Sequence, residues 1–232
     1  MRPSDGSRAR RSVAAVAALL VVDHPVVADK VRQLRDARTS NADFLRLAGE
    51  ISRFVAYEAF RDAPVTATTV DTPVTAGAPA VRIDTEYVIV PILRAGLGMS
   101  PAVQEVLPHN RLCLVGLRRD ETTLEPEVYL DGLPDRLEGV HVVVCDPMLA
   151  TGGSLDRVLT MLEERGAGTV TVLCLIAARP GVELVHSRHE AVIVAAALDE
   201  ELNAVGYITP GLGDAGDRLF GPPVRRSAEE GR

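Results

Sequence analysis

Four short runs of apolar residues constrain the fold of this chain more than any other feature. They span residues 87–92, 141–145, 170–177 and 191–197 and consist mainly of Val, Ile, Leu and Ala. Runs of this length bounded by turn residues are typical of strands that are buried on both faces. Helical patterns lie between them, and strands that alternate with helices favour a parallel α/β sheet.

The remaining elements fit around this sheet. The sequence predicts helices over 96–107 and 152–165, a short helix between the last two strands, and a further strand over 111–117. Alternating Val and Thr in residues 65–84 predict an antiparallel hairpin.

An amphipathic helix is predicted before the hairpin. Phe44, Leu47 and Ile51 recur at helical spacing, with Ser40 or Asn41 as the N-cap. Pro64 follows this pattern and is expected to prevent its continuation.

The 232 residues contain 47% hydrophobic but only 3% aromatic residues, so an aliphatic core is expected. We see no internal repeat and no low-complexity linker. We therefore predict a disordered N-terminal extension over 1–20, a single domain over 21–221 and a tail over 222–232.

Charge and cysteine content narrow the function classes. The net charge of −7 argues against a nucleic-acid partner, which would need a broad basic face. The apolar run at 13–22 is too short to span a membrane and has no small-residue cleavage site after it. The cysteines lack metal-ligand spacing, so we expect free thiols in the cytoplasm.

Gly211, Gly213 and Gly216 spell G-x-G-x-x-G, the pattern of a dinucleotide-binding turn. Only sixteen residues follow Gly216, so the helix and second strand of such a unit do not fit. Lys30 is the only lysine in the chain, which excludes a Gly-Lys-Ser/Thr phosphate loop as well. Two interpretations remain for this segment: a surface turn, or a loop whose backbone approaches a small flat ligand.

Residues 142–154 carry the strongest chemical signal. A buried strand ends at Asp146, and Thr151, Gly152, Gly153 and Ser154 then open a helix. Glycine N–H groups, hydroxyl groups and the positive end of the helix dipole together favour an anion site. Asp146 could accept hydrogen bonds from sugar hydroxyls. The alternative is an ordinary strand–turn–helix with an N-cap.

This segment resembles the ribose-phosphate loop of the type I phosphoribosyltransferases, which use 5-phosphoribosyl 1-diphosphate (PRPP). Most of these have two adjacent acids before the loop, whereas here Cys145 precedes a single Asp146, the form seen in the uracil phosphoribosyltransferase family. Residues 91–99 resemble the diphosphate-contacting turn of that family, residues 119–126 its flexible arm, and residues 207–221 its uracil loop. The likeness covers about residues 21–221.

One departure concerns residues 100–102, where the family usually has a hydrophobic residue followed by Asp-Gly. Here the chain has Ser100, Pro101 and Ala102. This change affects the start of the next helix and not the binding turn.

The resemblance implies a parallel-sheet type I phosphoribosyltransferase fold with an antiparallel hairpin arm and a small uracil-binding C-terminal hood. It implies the following PRPP-binding residues: Arg94, Arg119, Asp146, Pro147, Met148, Leu149, Ala150, Thr151, Gly152, Gly153, Ser154 and Asp214. It places uracil against Ile208, Gly213, Asp214 and Ala215. Asp146, Asp214 and Arg119 are the implied catalytic residues.

The diphosphate of PRPP needs cations, and without a suitable lysine Arg94 and Arg119 are the candidates. The sequence shows no carboxylate cluster, so we expect Mg²⁺ to be carried by PRPP and water, near Asp146 or Asp214, and not held directly by the protein.

The implied reaction is displacement at C1′ of PRPP by uracil N1, giving UMP and diphosphate in pyrimidine salvage. GTP activation and a homo-oligomer are further expectations from the family. Two alternatives stay open: a phosphoribosyltransferase for another base, and a PRPP-binding regulator without catalysis.

Overall fold

A computed structural model describes residues 18–119 and 126–221, with the backbone but not the side chain of Arg119. The elements in chain order are β1 (Ala18–Val21), α1 (Pro25–Arg35), α2 (Asn41–Ala59), β2 (Thr66–Val70), β3 (Ala78–Arg82), β4 (Tyr87–Leu93), a 3-10 turn (Ala95–Gly98), α3 (Ser100–Val106), β5 (Asn110–Leu112), β6 (Val115–Arg119), β7 (Pro126–Asp131), β8 (His141–Cys145), β9 (Met148–Leu149), α4 (Gly153–Glu163), β10 (Thr169–Ala178), α5 (Arg179–Arg188), β11 (Val192–Asp199), β12 (Glu201–Leu202), β13 (Ile208–Thr209) and α6 (Ala215–Phe220).

The main sheet has the strand order β1-β11-β10-β8-β4-β6-β7, with β5 paired to β4 and β9 paired to β10. All its pairings are parallel except that of β6 with β7, which is antiparallel. The predicted parallel α/β sheet is therefore confirmed.

Helices cover both faces of the sheet, which explains why its central strands are apolar throughout. One buried cluster joins α1, α2, α3 and α6 to one face of the sheet. A second cluster joins α4 and α5 to the other face. The phosphate loop and the C-terminal loop thus belong to helices on opposite faces.

The predicted hairpin and amphipathic helix are present. β2 and β3 pair in antiparallel fashion, from Thr66 opposite Arg82 to Val70 opposite Ala78. The side chain of Ser40 caps α2 by accepting from the N–H of Asp43 at 3.2 Å. Phe44, Leu47 and Ile51 form part of the buried stripe of α2.

Two element predictions need correction. The helix predicted over 96–107 is a 3-10 turn followed by α3, and the turn packs so closely that a Cβ at Gly96 or Gly98 would clash with Cys145 or Leu219. Pro101 lies in the first turn of α3, where backbone N–H groups have no partner within the helix, so the N–H that proline lacks is not needed there. The strand predicted over 111–117 is divided into β5 and β6, which both pair with β4.

The main sheet includes residues that precede the predicted domain boundary at residue 21. Ala18 to Val21 pair in parallel with Val192 to Ala195 of β11, so three residues of the predicted extension belong to the sheet. Residues 1–17 and 222–232, where the predicted extension and tail fall, lie outside the described residues. Among those that are described, no helix has the length and apolarity required to cross a bilayer.

His141 predicts a pH dependence of stability. Burial lowers the pKa of His141 from 6.5 to about 4, while its Nε2 lies 2.8 Å from Thr171 Oγ1. Between these pH values the unfolded chain binds the proton better than the folded protein does. Stability should therefore fall as the pH drops from 6.5 to 4, by at most about 1.4 kcal/mol per pH unit from this group.

Urea unfolding of the wild type and His141→Asn at several pH values measures this effect. The difference in unfolding free energy between the two proteins should shift in favour of the variant as the pH falls through this window. A difference that does not change with pH would contradict the assignment.

Candidate active site

The candidate phosphate loop starts where β8 ends, at the carboxyl edge of the parallel sheet. After Cys145 the chain passes Asp146, forms the short strand β9 beside β10, and enters α4 at Gly153. In open α/β sheets this edge is where ligands bind.

The first turn of α4 is built to leave N–H groups free for a ligand. Its N-cap, Gly152, has φ +88° and provides no side-chain hydrogen bond, so the first N–H groups of the helix have no cap of that kind. An alanine at Gly181 would place its Cβ 2.4 Å from the carbonyl oxygen of Ala150, which shows how closely α5 packs against the loop. The positive end of the α4 dipole therefore faces the cleft from a rigidly supported position.

Asp146 lies in this cleft as a partly buried carboxylate. Burial raises its pKa from 3.8 to about 6, and the N–H of Met148, 3.4 Å from Oδ1, opposes this effect in part. The carboxylate is thus less stable than a solvated one, and a ligand that donates hydrogen bonds or carries positive charge would stabilise its ionised form.

The turn after β4 faces the phosphate loop. A Cβ at Gly96 would lie 2.4 Å from the carbonyl oxygen of Cys145, so only glycine lets this turn approach the end of β8. The turn carries Arg94, which reaches across to α6, where its Nη2 lies 3.1 Å from Asp217 Oδ1. Both side chains are nearly half exposed, so the pair is weak enough for a polyanion to compete for the guanidinium.

These elements enclose a cleft of about 270 Å³. It is lined by Ile92, Leu93, Arg94, Ala95, Leu117, Asp146, Met148, Leu149, Ala150, Thr151, Gly152, Gly153, Ser154 and Leu155. The polar side chains in this lining are one guanidinium, two hydroxyls and one carboxylate, a set that suits a sugar phosphate.

A second pocket of about 350 Å³ adjoins this cleft. It is lined by Ala95, Met148, Ala150, Val205, Gly206, Tyr207, Ile208, Gly213, Asp214, Ala215 and Gly216. Ala95, Met148 and Ala150 line both spaces, so the phosphate cleft and this pocket are direct neighbours that share these three residues.

The loop of the second pocket depends on its glycines. Gly211 and Gly213 have φ of +58° and +82°, in the left-handed region. A Cβ at Gly211 would meet the carbonyl oxygen of Ile208 at 2.1 Å. Asp214 then caps α6, accepting from the N–H of Asp217 at 2.9 Å. The three-glycine pattern is therefore a tight loop beside a pocket and not a dinucleotide-binding turn.

Most of the predicted binding residues line the space predicted for them, and three do not or are outside the described side chains. Pro147 is buried and outside the cleft lining, and its carbonyl accepts from the N–H groups of Leu175 and Ile176. Asp214 lines the second pocket, not the phosphate cleft. The side chain of Arg119 and the rest of the predicted arm through residue 125 lie outside the described residues, although β6 and β7 flank that arm as an antiparallel pair.

Sequence reasoning missed several residues of the site. Val205 and Gly206 line the second pocket although they precede the predicted uracil loop at 207–221, and Ala95 lines it although its turn was assigned to the diphosphate. Arg35 and Asp199 contact the backbone of the glycine loop from α1 and β11. The charged character of the last two was visible in the sequence, but their pairing across 164 positions was not.

Comparisons with known proteins agree with this geometry. The sequence profile described as uracil phosphoribosyltransferase matches residues 21–222. Proteins named uracil phosphoribosyltransferase from Kineococcus radiotolerans and Corynebacterium efficiens are 50% and 45% identical to the chain over 207 and 205 residues. These matches cover 88% of this chain in both cases, and 98% and 97% of the two relatives.

A solved structure is similar as well. The AQ2163 protein from Aquifex aeolicus superposes with a TM-score of 0.82 at 35% identity, covering 89% of this chain and all of that one. The match in sequence and fold extends over the whole two-part site, and the chain belongs to the uracil phosphoribosyltransferase family.

Proposed function

We propose that this protein transfers the 5-phosphoribosyl group of PRPP to N1 of uracil, forming UMP and diphosphate. The observation that carries the proposal is that the two spaces adjoin. The cleft at the start of α4 and the pocket beside the glycine loop share Ala95, Met148 and Ala150, so a sugar in the first could meet a flat base in the second.

In this proposal the 5′-phosphate binds at the start of α4. The N–H groups of Gly153 and Ser154 and the hydroxyls of Thr151 and Ser154 are suited to phosphate oxygens. Asp146, at the same edge, would accept hydrogen bonds from the ribose hydroxyls, which also favour its ionised form.

The diphosphate is assigned to Arg94 and Arg119, because the only lysine, Lys30, is paired with Glu50 between α1 and α2. Binding of the diphosphate would draw Arg94 away from Asp217. The arm that carries Arg119 would fold over the substrate and exclude water.

Uracil is assigned to Ile208, Gly213, Asp214 and Ala215, which all line the second pocket. Two carbonyls and the N3–H of the base can be read by backbone donors and acceptors. Cytosine presents a donor where uracil has its O4 acceptor, so a backbone N–H at that point would be left unpaired and would disfavour cytosine.

Mg²⁺ fits this site as an ion held mainly by its substrate. No metal-ligating cluster of three or more His, Cys, Asp or Glu side chains occurs in the described part of the chain. Asp146 supplies one carboxylate in the cleft, and one or two carboxylates with substrate phosphates and water are what Mg²⁺ commonly uses. When bound, the ion would offset the negative charge that develops on the leaving diphosphate.

The chain's own residues would act by positioning and charge stabilisation. As the bond from C1′ to the diphosphate breaks, the bonding electrons leave with the diphosphate and N1 of uracil forms its bond to C1′ from the opposite face. The N1 proton passes to solvent or to the departing diphosphate, and the configuration at C1′ inverts. Arg94 and Arg119 would stabilise the leaving group, and the loop at Gly213 would align N1 with C1′. No covalent bond to the protein is needed.

Three further properties belong to the same proposal. The cysteines Cys113, Cys145 and Cys174 are free thiols, consistent with a cytoplasmic location. GTP activation and homo-oligomerisation are proposed from the family likeness, and they are tested by an assay with and without GTP and by light scattering of the purified protein.

The decisive experiment measures UMP formation from uracil, PRPP and Mg²⁺ by purified protein, with cytosine, orotate and hypoxanthine as competing bases. We expect UMP and little product from the other bases. PRPP binding without product from any base would replace the proposal with a regulatory role, and a preference for another base would reassign the second pocket.

A further inference from the structure

The glycine loop that forms the base pocket is held by an ion pair that no motif marked. Arg35 is the last residue of α1, and Asp199 is the last residue of β11. Nη1 and Nη2 of Arg35 each donate to one carboxylate oxygen of Asp199 at 2.7 Å, forming a bidentate pair. The Asp199 side chain is only 7% exposed, so this pair is screened from water far more than a surface salt bridge.

The same two side chains also bind the loop backbone. The N–H of Gly211 donates to Asp199 Oδ2 at 3.0 Å, and Arg35 Nη1 donates to the carbonyl oxygen of Gly211 at 2.8 Å. The peptide groups before and after Gly211 are therefore both fixed by the Arg35–Asp199 pair.

Arg218 extends this support to the next residue. Its Nη1 donates to the carbonyl oxygens of Leu212 and Leu34 at 3.0 and 2.7 Å, and its Nη2 donates to that of Asp36 at 2.7 Å. The end of α1 and the glycine loop thus form one hydrogen-bonded unit.

The location of this unit makes it relevant to base recognition. Gly211 lies between Ile208 and Gly213, which both line the base pocket. In the proposed binding mode the polar contacts to the base come from backbone groups, which have no rotamers with which to adjust. Its selectivity then depends on how accurately the peptide groups are oriented.

We propose that Arg35 and Asp199 are positioning residues that set base affinity and selectivity by fixing the two peptide groups around Gly211. The inference rests on the proposed function of the adjoining pocket. Neither side chain touches the base, and both act through the loop.

Steady-state kinetics of Arg35→Lys and Asp199→Asn test the inference. Lysine keeps the charge but loses the bidentate geometry. The asparagine in Asp199→Asn has nearly the same shape as aspartate and keeps one acceptor oxygen. This variant therefore tests the inference if Arg35→Lys does not fold. Arg32→Lys is the matched control, because Arg32 lies on the same helix and pairs with Asp29 in an exposed position.

We expect the KM for uracil to rise about tenfold or more in both variants, since a buried polar group is left imperfectly paired. The preference for uracil over cytosine in kcat/KM should fall in both variants, while their KM for PRPP stays at the wild-type value. The control Arg32→Lys should keep the wild-type value of each of these constants. If the wild type is active and both variants keep its KM for uracil and its base preference, this inference is wrong and the proposed function still stands. Equal increases in both KM values would also overturn this inference, since they indicate a general structural role. A wild type that makes no UMP would overturn the proposed function together with it.

Discussion

Replacing Asp146 with asparagine should lower kcat/KM for PRPP by about 10²–10³-fold, the loss typical of removing one preorganised electrostatic group from an active site. The fold should not suffer. Burial raises the pKa of Asp146 to about 6, so above that pH the folded protein holds a carboxylate that would be more stable in the unfolded chain. A neutral side chain of the same shape removes this cost and can still accept from the N–H of Met148.

The sign of this stability effect is specific. The folded-state pKa lies above the unfolded value of 3.8. At low pH the carboxyl group is protonated in both states and its ionisation does not affect the free energy of unfolding, and as the pH rises from 3.8 to about 6 ionisation lowers that free energy. At pH 8 the Asp146→Asn protein should therefore unfold at the same temperature as the wild type or at a higher one.

Thermal unfolding and initial rates of the variant at pH 8 check both parts, with Asp84→Asn as the control. Asp84 is an exposed carboxylate paired with Arg82 after the β2–β3 hairpin, outside both spaces of the site. Unchanged kinetics of Asp146→Asn would remove this residue from the site. A large loss of thermal stability would show that its main role is in the fold.

Replacing Gly96 with alanine should destabilise the protein and weaken PRPP binding together. The new Cβ would lie 2.4 Å from the carbonyl oxygen of Cys145 and 3.1 Å from two backbone atoms of Pro91. Backbone atoms cannot move aside as a flexible side chain can, so the turn must shift away from β8. Overpacking of this kind costs about 1–3 kcal/mol. The shift also moves Arg94 away from Asp146 across the cleft.

Gly49→Ala is the matched control, because Gly49 lies within α2 and a Cβ there meets no atom closer than 3.9 Å. This substitution should stabilise the protein by about 0.5–1 kcal/mol through the better helix propensity of alanine. Urea unfolding measures stability, and calorimetry measures PRPP affinity in both variants. Gly96→Ala protein with wild-type stability and wild-type affinity would show that the turn is not held as tightly as its contacts indicate.

Local patterns were sufficient for much of the fold. Apolar runs such as residues 141–145 form central strands of the sheet. These strands are hydrophobic because helices bury both of their faces. The Ser40 cap and the stripe at Phe44 and Ile51 identified α2, because capping and helical periodicity are local properties. The division of the strand predicted over 111–117 into β5 and β6 was missed, since the break between them appears only in how each piece pairs with β4.

In the candidate site, the strand, turn and helix that contain residues 146–154 could be predicted because the apolar run, the glycines and the hydroxyls are contiguous in the chain. Phosphate binding by this turn stays a prediction. The sequence did not show that Pro147 lies outside the cleft lining. Its carbonyl accepts hydrogen bonds from N–H groups of β10, a contact between residues far apart in the chain. The role of Arg119 stays a prediction from the sequence.

The sequence by itself determined the alternation of strands and helices, the glycine-containing turn between β8 and α4 and the exclusion of a dinucleotide turn, because these depend on residues within a few positions of one another. Only the tertiary structure decided that the loop at Gly213 adjoins the phosphate cleft and that Arg35 meets Asp199. Those contacts join residues far apart in the chain, and they arise from the packing of α1, β11 and α6 onto one sheet, which no local pattern encodes.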